Sequence, residues 1–196
     1  LDIAWQYPGP TEAMPALNIG QVVCSPVYGR GMVYAVSLTS GAATPAMLMC
    51  FDVDPKQDLD GNGYAGDGVN DYSLGAPYDM IWSADLSADV LPNASPRFSS
   101  PTLATISVDN GSFDVPVQVV LVSVVDTGDG SASVACYNAT LDPDLLAALP
   151  GGFPTTGQVI WTYPVPAYSG TAEIVCLSTP IVHRGHVYVL ASEYDT

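Results

Sequence analysis

Basic residues are nearly missing from this chain. Its 196 residues include four, Arg30, Lys56, Arg97 and Arg184, against twenty acidic ones, for a formal net charge of −16. Nucleic-acid binding is driven by Lys and Arg neutralising phosphates, so no nucleic-acid partner is expected. Attraction to anionic membrane surfaces is opposed for the same reason. Long apolar runs are missing too. The longest, Val117 to Val125, is interrupted by Gln118 and Ser123, and a bilayer-crossing helix needs about 20 residues. No membrane span is expected. No basic stretch followed by an apolar one opens the sequence, so a signal peptide is expected to have been removed or to lie upstream.

Cysteine is sparse and scattered. Cys24, Cys50, Cys136 and Cys176 form no CxxC pair, which removes the usual basis for a zinc or iron–sulfur site. Each lies in an apolar, alternating run. Buried small hydrophobes and disulfide halves in an oxidising compartment both remain open. There are two histidines, His183 and His186, three apart across a turn, and we expect them on the surface. No nucleophile elbow, P-loop or GxGxxG is present, and no serine has an identifiable base. We expect no catalysis by the chain itself. Helical periodicity is confined to Pro143–Leu149, one or two turns closed by Pro150-Gly151-Gly152.

The composition is that of a folded protein. Hydrophobic residues make up 48% of the chain despite 17 prolines, too many for a disordered one. Its most specific feature is a self-similarity. Ser25-Pro26-Val27-Tyr28-Gly29-Arg30-Gly31-Met32-Val33-Tyr34 returns without a gap as Thr179-Pro180-Ile181-Val182-His183-Arg184-Gly185-His186-Val187-Tyr188. Each copy predicts two short strands around a tight turn, with Gly31 and Gly185 supplying a positive φ. The tryptophans mark the same repeat. Trp5, Trp82 and Trp161 sit in similar strands, 77 and 79 residues apart. The unit is therefore about 78 residues. Within it a Trp strand is followed by a Ser/Thr-Pro strand, a Val-rich strand, and a strand carrying Cys then an aromatic, as in Met47–Asp52 and Ser133–Asn138. Four such strands predict an antiparallel meander.

The order Ser-Pro, Val-Tyr, Cys-Phe-Asp, Ile-Trp resembles the blade motif of the quinoprotein-like (PQQ-repeat) β-propellers. Arg30–Tyr34 and Arg184–Tyr188 match its second strand, and Ile160–Tyr163 its last. The resemblance implies an all-β chain of propeller blades, four-stranded antiparallel meanders, about two and a half in number. Residues 1–8 would be the outer strand of a preceding blade, 9–84 a first blade, 85–164 a second and 165–196 part of a third. Propellers close with roughly four to eight blades, so we expect a segment of a longer chain, its remaining blades completing the ring. A β-sandwich with long loops is the alternative fold.

One stretch carries chemistry. The insertion 52–71 between the third and fourth strands of the first unit contains Asp58, Asp60 and Asn62 at positions 1, 3 and 5 of a calcium loop, with Gly63 at position 6. Tyr64 offers its carbonyl at position 7. Position 12 is Val69 rather than Glu, so Asp67, Asn70 or Asp71 is expected to close the shell. The loop resembles those of EF-hands, dockerins and thrombospondin-type repeats, and predicts a structural calcium ion (Ca2+). Sequons at Asn93, Asn110 and Asn138 lend weak support to export. The expected function is an exported scaffold or binding module, extracellular, at the cell surface or periplasmic, with a protein or cell-surface partner. Two alternatives stand beside it: part of a quinoprotein-type oxidoreductase whose active centre lies in other blades, and a self-assembling cell-surface structural protein.

Overall fold

Among the residues the structure describes, runs of Val, Ile, Tyr and Cys bounded by Pro, Gly, Asn and Asp form strands, as β-branched and aromatic residues should. The fold is known here from a computed structural model, which describes residues 22, 24–38, 46–53, 80–86, 96–167 and 172–195. Among these the chain is all-β, with one short helix and antiparallel pairing throughout.

The first sheet is a four-stranded meander of β1 (Val27–Gly29), β2 (Met32–Ser37), β3 (Met47–Asp52) and β4 (Met80–Asp85), paired in sequence order. The second contains β5 (Pro96–Phe98), β6 (Thr102–Asp109), β7 (Asp114–Asp126), β8 (Ala132–Asn138) and β9 (Val159–Pro164). The long β7 pairs with β6 along its first half and β5 along its second, and with β8 on its other side. A third layer is built from β10 (Ala172–Leu177), β11 (Ile181–His183), β12 (His186–Tyr188) and β13 (Ala191–Asp195). Here β12 pairs with β11 and β13 with β10, which repeats the division of labour along β7.

The three layers share one register. Pro26, Pro101 and Pro180 each stand just before β1, β6 and β11, at the strand-start position proline tolerates. The next residue pairs Val27 with Tyr34, Thr102 with Leu121 and Ile181 with Tyr188. In the first and third layers the strands are joined by two-residue turns, Arg30-Gly31 and Arg184-Gly185. All four residues have positive φ, between 49° and 80°. This is the signature of a type I′ hairpin, and the predicted turns are present. Across the first two sheets the pairing continues in matching rows, Tyr34–Cys50–Trp82 and Leu121–Cys136–Trp161. In each, a register irregularity follows the cysteine, between Cys50 and Phe51 and between Cys136 and Tyr137.

Period-2 alternation assigns the faces. Met32, Tyr34 and Val36 of β2, with Leu48 and Cys50 of β3, pack on Val120, Val122 and Val124 of β7 and Ala135 and Tyr137 of β8. The alternate residues of the second sheet, Val117, Val119, Leu121, Val134 and Cys136, face the third layer and meet Val182 and Val189. The second sheet is thus buried on both faces, and this explains the near-continuous apolar run of β7. Where the layers touch, side chains leave little room. A Cβ on Gly29 would overlap Leu103, and one on Gly157 would lie 3.3 Å from the Trp82 ring. Polar links join successive Ser/Thr-Pro corners. The Ser25 amide donates to Ser100 Oγ at 3.1 Å, and Thr102 Oγ1 donates to the Pro180 carbonyl at 2.6 Å.

The predicted helical turn is present as α1 (Pro143–Ala148), with Pro in its first turn. It is capped by Asp142, whose carboxylate accepts from the Asp144 and Leu145 amides at 2.9 and 3.3 Å, as N-terminal capping requires. No described helix is long and apolar enough to cross a membrane.

Candidate functional site

The expected calcium ligands Asp58, Asp60, Asn62, Tyr64, Asp67 and Asp71 lie outside the described residues. The strands on either side of them are described. β3 ends at Asp52, β4 begins at Met80, and Phe51 pairs with Met80. Residues 54–79 therefore connect two adjacent strands of the first sheet. Asp52 itself is buried, opposite Met32. Among the described residues no group of three or more His, Cys, Asp or Glu side chains could hold a metal ion.

The four cysteines are all free, so the disulfide alternative is not realised. Cys50 and Cys136 are fully buried. Loss of solvation raises both thiols from 9.0 to about 12, with the neighbouring Tyr34 opposing the rise at Cys50 and Asp52 adding to it. Thiols held so far above neutrality are poor nucleophiles, and these two act as core residues. Cys24 is half-buried and donates to the Val36 carbonyl at 3.7 Å; burial raises its pKa also. Tyr34 is wholly buried. Its hydroxyl donates to Met32 Sδ at 3.3 Å, its ring lies 6.0 Å from that of Trp82, and burial pushes its pKa up.

The histidines flank the third-layer turn as a register pair, His183 opposite His186, and both are exposed. His186 Nδ1 lies 3.0 Å from the Arg184 carbonyl. They are surface turn residues. The sequon asparagines 110 and 138 have structural tasks. Asn138 is fully buried, donates to the Pro154 carbonyl and accepts from the Thr140 amide. Asn110 accepts from the Ser112 and Phe113 amides and donates to the Ala148 carbonyl.

The arrangement with capacity to bind lies in the third layer. Where the second sheet covers Trp82 with Gly157 and Tyr137, the matching Trp161 borders a groove among the described residues. A groove of about 480 Å³ is lined by Val134, Trp161, Tyr163, Val165, Val187 and Val189. A neighbouring cavity of about 450 Å³ shares Trp161 and Val187. On the far face Ile181, Tyr188 and Leu190 are exposed, Leu190 to 79%. No described strand pairs with the second edge of β12 or β13. Sequence reasoning identified the third hairpin but not this groove.

No protein-family model, curated protein or solved structure matches this chain.

Proposed function

We propose that the chain is an exported, calcium-stabilised scaffold or binding module of β-propeller type, without catalysis of its own, whose layers are successive blades. The observation carrying this reading is the shared register of the three layers. Each hairpin starts after a Ser/Thr-Pro corner, and the first two layers turn the same face, Tyr34 and Leu121, toward the layer that follows. Repetition of similar antiparallel sheets is the plan of a propeller. A fold built by repetition serves function through its loops and its uncovered surfaces. Here those are the acidic insertion between β3 and β4 and the third-layer groove.

The role of Asp58, Asp60, Asn62, Tyr64, Asp67 and Asp71 in this reading is to supply oxygen ligands to one Ca2+. The ion would offset the mutual repulsion of the clustered carboxylates and close a long connection between two paired strands. Thermal unfolding with calcium and with a chelator tests it. Binding at a hundredfold excess over Kd adds about 2.7 kcal/mol, which for a chain of this size raises Tm by about 5–10 °C. Asp60→Ala should remove the shift. An unchanged Tm in the parent protein would refute the calcium site.

A further inference from the structure

We propose that Asn110-Gly111, at the tip of the β6–β7 hairpin, is a self-modifying site. The Gly111 amide nitrogen attacks the Asn110 carboxamide, and the asparagine becomes aspartate or isoaspartate. Groups on both sides of the pair stand where that reaction needs them.

The tip reads Asp109-Asn110-Gly111-Ser112. An asparagine carboxamide is attacked by the backbone nitrogen of the next residue, and a side chain on that residue obstructs the approach. Glycine has none. Gly111 also holds a φ of 88°, and nothing lies within 4 Å of the place a Cβ would take. Asn110 Oδ1 accepts from the Ser112 amide at 2.9 Å and from the Phe113 amide at 3.0 Å, which folds the carboxamide over the Gly111 peptide. As nitrogen adds to Cγ, negative charge develops on that same Oδ1. The two N–H groups already aimed at it stabilise the oxyanion. On the other side, the Gly111 N–H donates to Asp109 Oδ1 at 2.7 Å. The Asp109 carboxylate is thus within hydrogen-bond reach of the proton to be removed, the first requirement of a general base. Gly111, Ser112 and Phe113 are exposed, so water reaches the tip.

The atoms balance with water as the one co-reactant. The Gly111 nitrogen bonds to Asn110 Cγ as its proton passes to Asp109. The Cγ–Nδ2 bond breaks, and Nδ2 leaves as ammonia with that proton. The ring so formed is a succinimide. Water opens it at Cγ to give aspartate, or at the main-chain carbonyl carbon to give isoaspartate. Nothing is oxidised or reduced, and each chain reacts once. The change is felt at α1. Asn110 Nδ2 donates to the carbonyl of Ala148, the last residue of that helix, at 2.9 Å. A carboxylate oxygen in its place sets two acceptors face to face. It also adds charge beside Asp109 and Asp114, which already stand opposite each other, and like charges so placed repel. Modification therefore releases the helix end from the hairpin tip.

The test is incubation of the 196-residue protein at neutral pH, with peptide mapping by mass spectrometry and chromatographic separation of the isoaspartyl form. A synthetic peptide of residues 105–116 has the same sequence without the fold and is the reference. The folded protein should react at least about tenfold faster than the peptide. A folded rate equal to or below the peptide's overturns the proposal, because the hydrogen bonds then restrain the pair. This comparison uses the unaltered protein and depends on no variant's folding. Asp109→Ala should slow the folded protein toward the peptide's rate and leave the peptide little changed; an unchanged rate in the folded variant also overturns the proposal. Asn110→Asp, which fixes the product charge, should speed hydrogen exchange at the Leu149 amide, bonded to the Leu146 carbonyl at 3.3 Å, at least about threefold. Equal exchange would overturn the coupling to α1.

Discussion

The second and third layers are made from the same plan and end in different environments. In both, a Ser/Thr-Pro corner leads into a hairpin whose second strand is shared between two partners. In the second layer this strand is β7, with every residue from Val117 to Asp126 buried. In the third it is β12 and β13, where Tyr188 and Leu190 are exposed. Register is therefore set locally, by turn and corner. Burial is set by what lies on either side. Leu121 is 1% exposed and Tyr188, at the same position of the repeat, 54%.

The sharpest way to break this comparison is to truncate that one position in each layer. Tyr34 and Leu121 are fully buried, Tyr34 in the cluster joining the first two layers and Leu121 in the one facing the third. Tyr34→Ala should cost about 3–5 kcal/mol and Leu121→Ala about 2–5 kcal/mol. Tyr188→Ala should cost under about 1 kcal/mol, since Tyr188 is exposed and has only the His186 ring beside it, at 6.3 Å. Urea denaturation of the three variants measures the series. Equal losses would mean that the third layer is covered in solution as the other two are.

A graded effect comes from alkali, and it separates the paired sheets from the third layer. Cys50 and Cys136 have folded-state values of about 12 against an ordinary 9.0. For an acid whose pKa is raised by folding, the stabilisation is complete below the unfolded value. It is lost as pH rises from 9.0 toward 12, because the unfolded chain releases the proton first. Each thiol should remove about 1.4 kcal/mol per pH unit across that window. Denaturation midpoints at pH 8, 9.5 and 11 should fall steadily, and Cys136→Ala should flatten the slope. Cys176→Ala, in the third layer and exposed, should leave the slope unchanged.

These contrasts also show what could be read from the sequence. The Arg-Gly turns, the strand order within each unit and the short helix all follow from local chemistry: a positive-φ glycine, alternating β-branched residues, an Asp cap before Pro. The 154-residue echo from Tyr34 to Tyr188 was visible because the two hairpins have equal arms. The second copy was harder to align. Seven residues separate Val27 from Tyr34, but nineteen separate Thr102 from Leu121, because β6 and β7 are longer. No fixed period finds it, although its Cys136 and Trp161 fall in the same row as Cys50 and Trp82. Exposure was less legible still. Ile181, Val187 and Tyr188 look as apolar as their counterparts, and only the assembled layers show them exposed among the described residues. The acidic loop lies outside the described residues; only the strands that bracket it, β3 and β4, are described.

The finest test concerns the corner that all three layers share. Ser99 Oγ accepts from the Ser123 amide at 3.0 Å and donates to the Ser100 carbonyl at 3.0 Å, and the Ser99 amide donates to the Ser123 carbonyl at 2.9 Å. Ser178 makes the same three bonds, to the Leu190 amide at 2.9 Å, the Thr179 carbonyl at 3.1 Å and the Leu190 carbonyl at 2.9 Å. In the first layer Cys24 holds this place and reaches only the Val36 carbonyl through its thiol. Identical bonds need not have identical worth. Ser99→Ala would strand the amide of Ser123, a residue 1% exposed, and an unsatisfied buried donor costs about 1–3 kcal/mol. Ser178→Ala frees the amide of exposed Leu190, which water can solvate, so its cost should stay near 0.5 kcal/mol. Denaturant midpoints compare the two. The corner thus reports directly on the difference in cover between the second layer and the third.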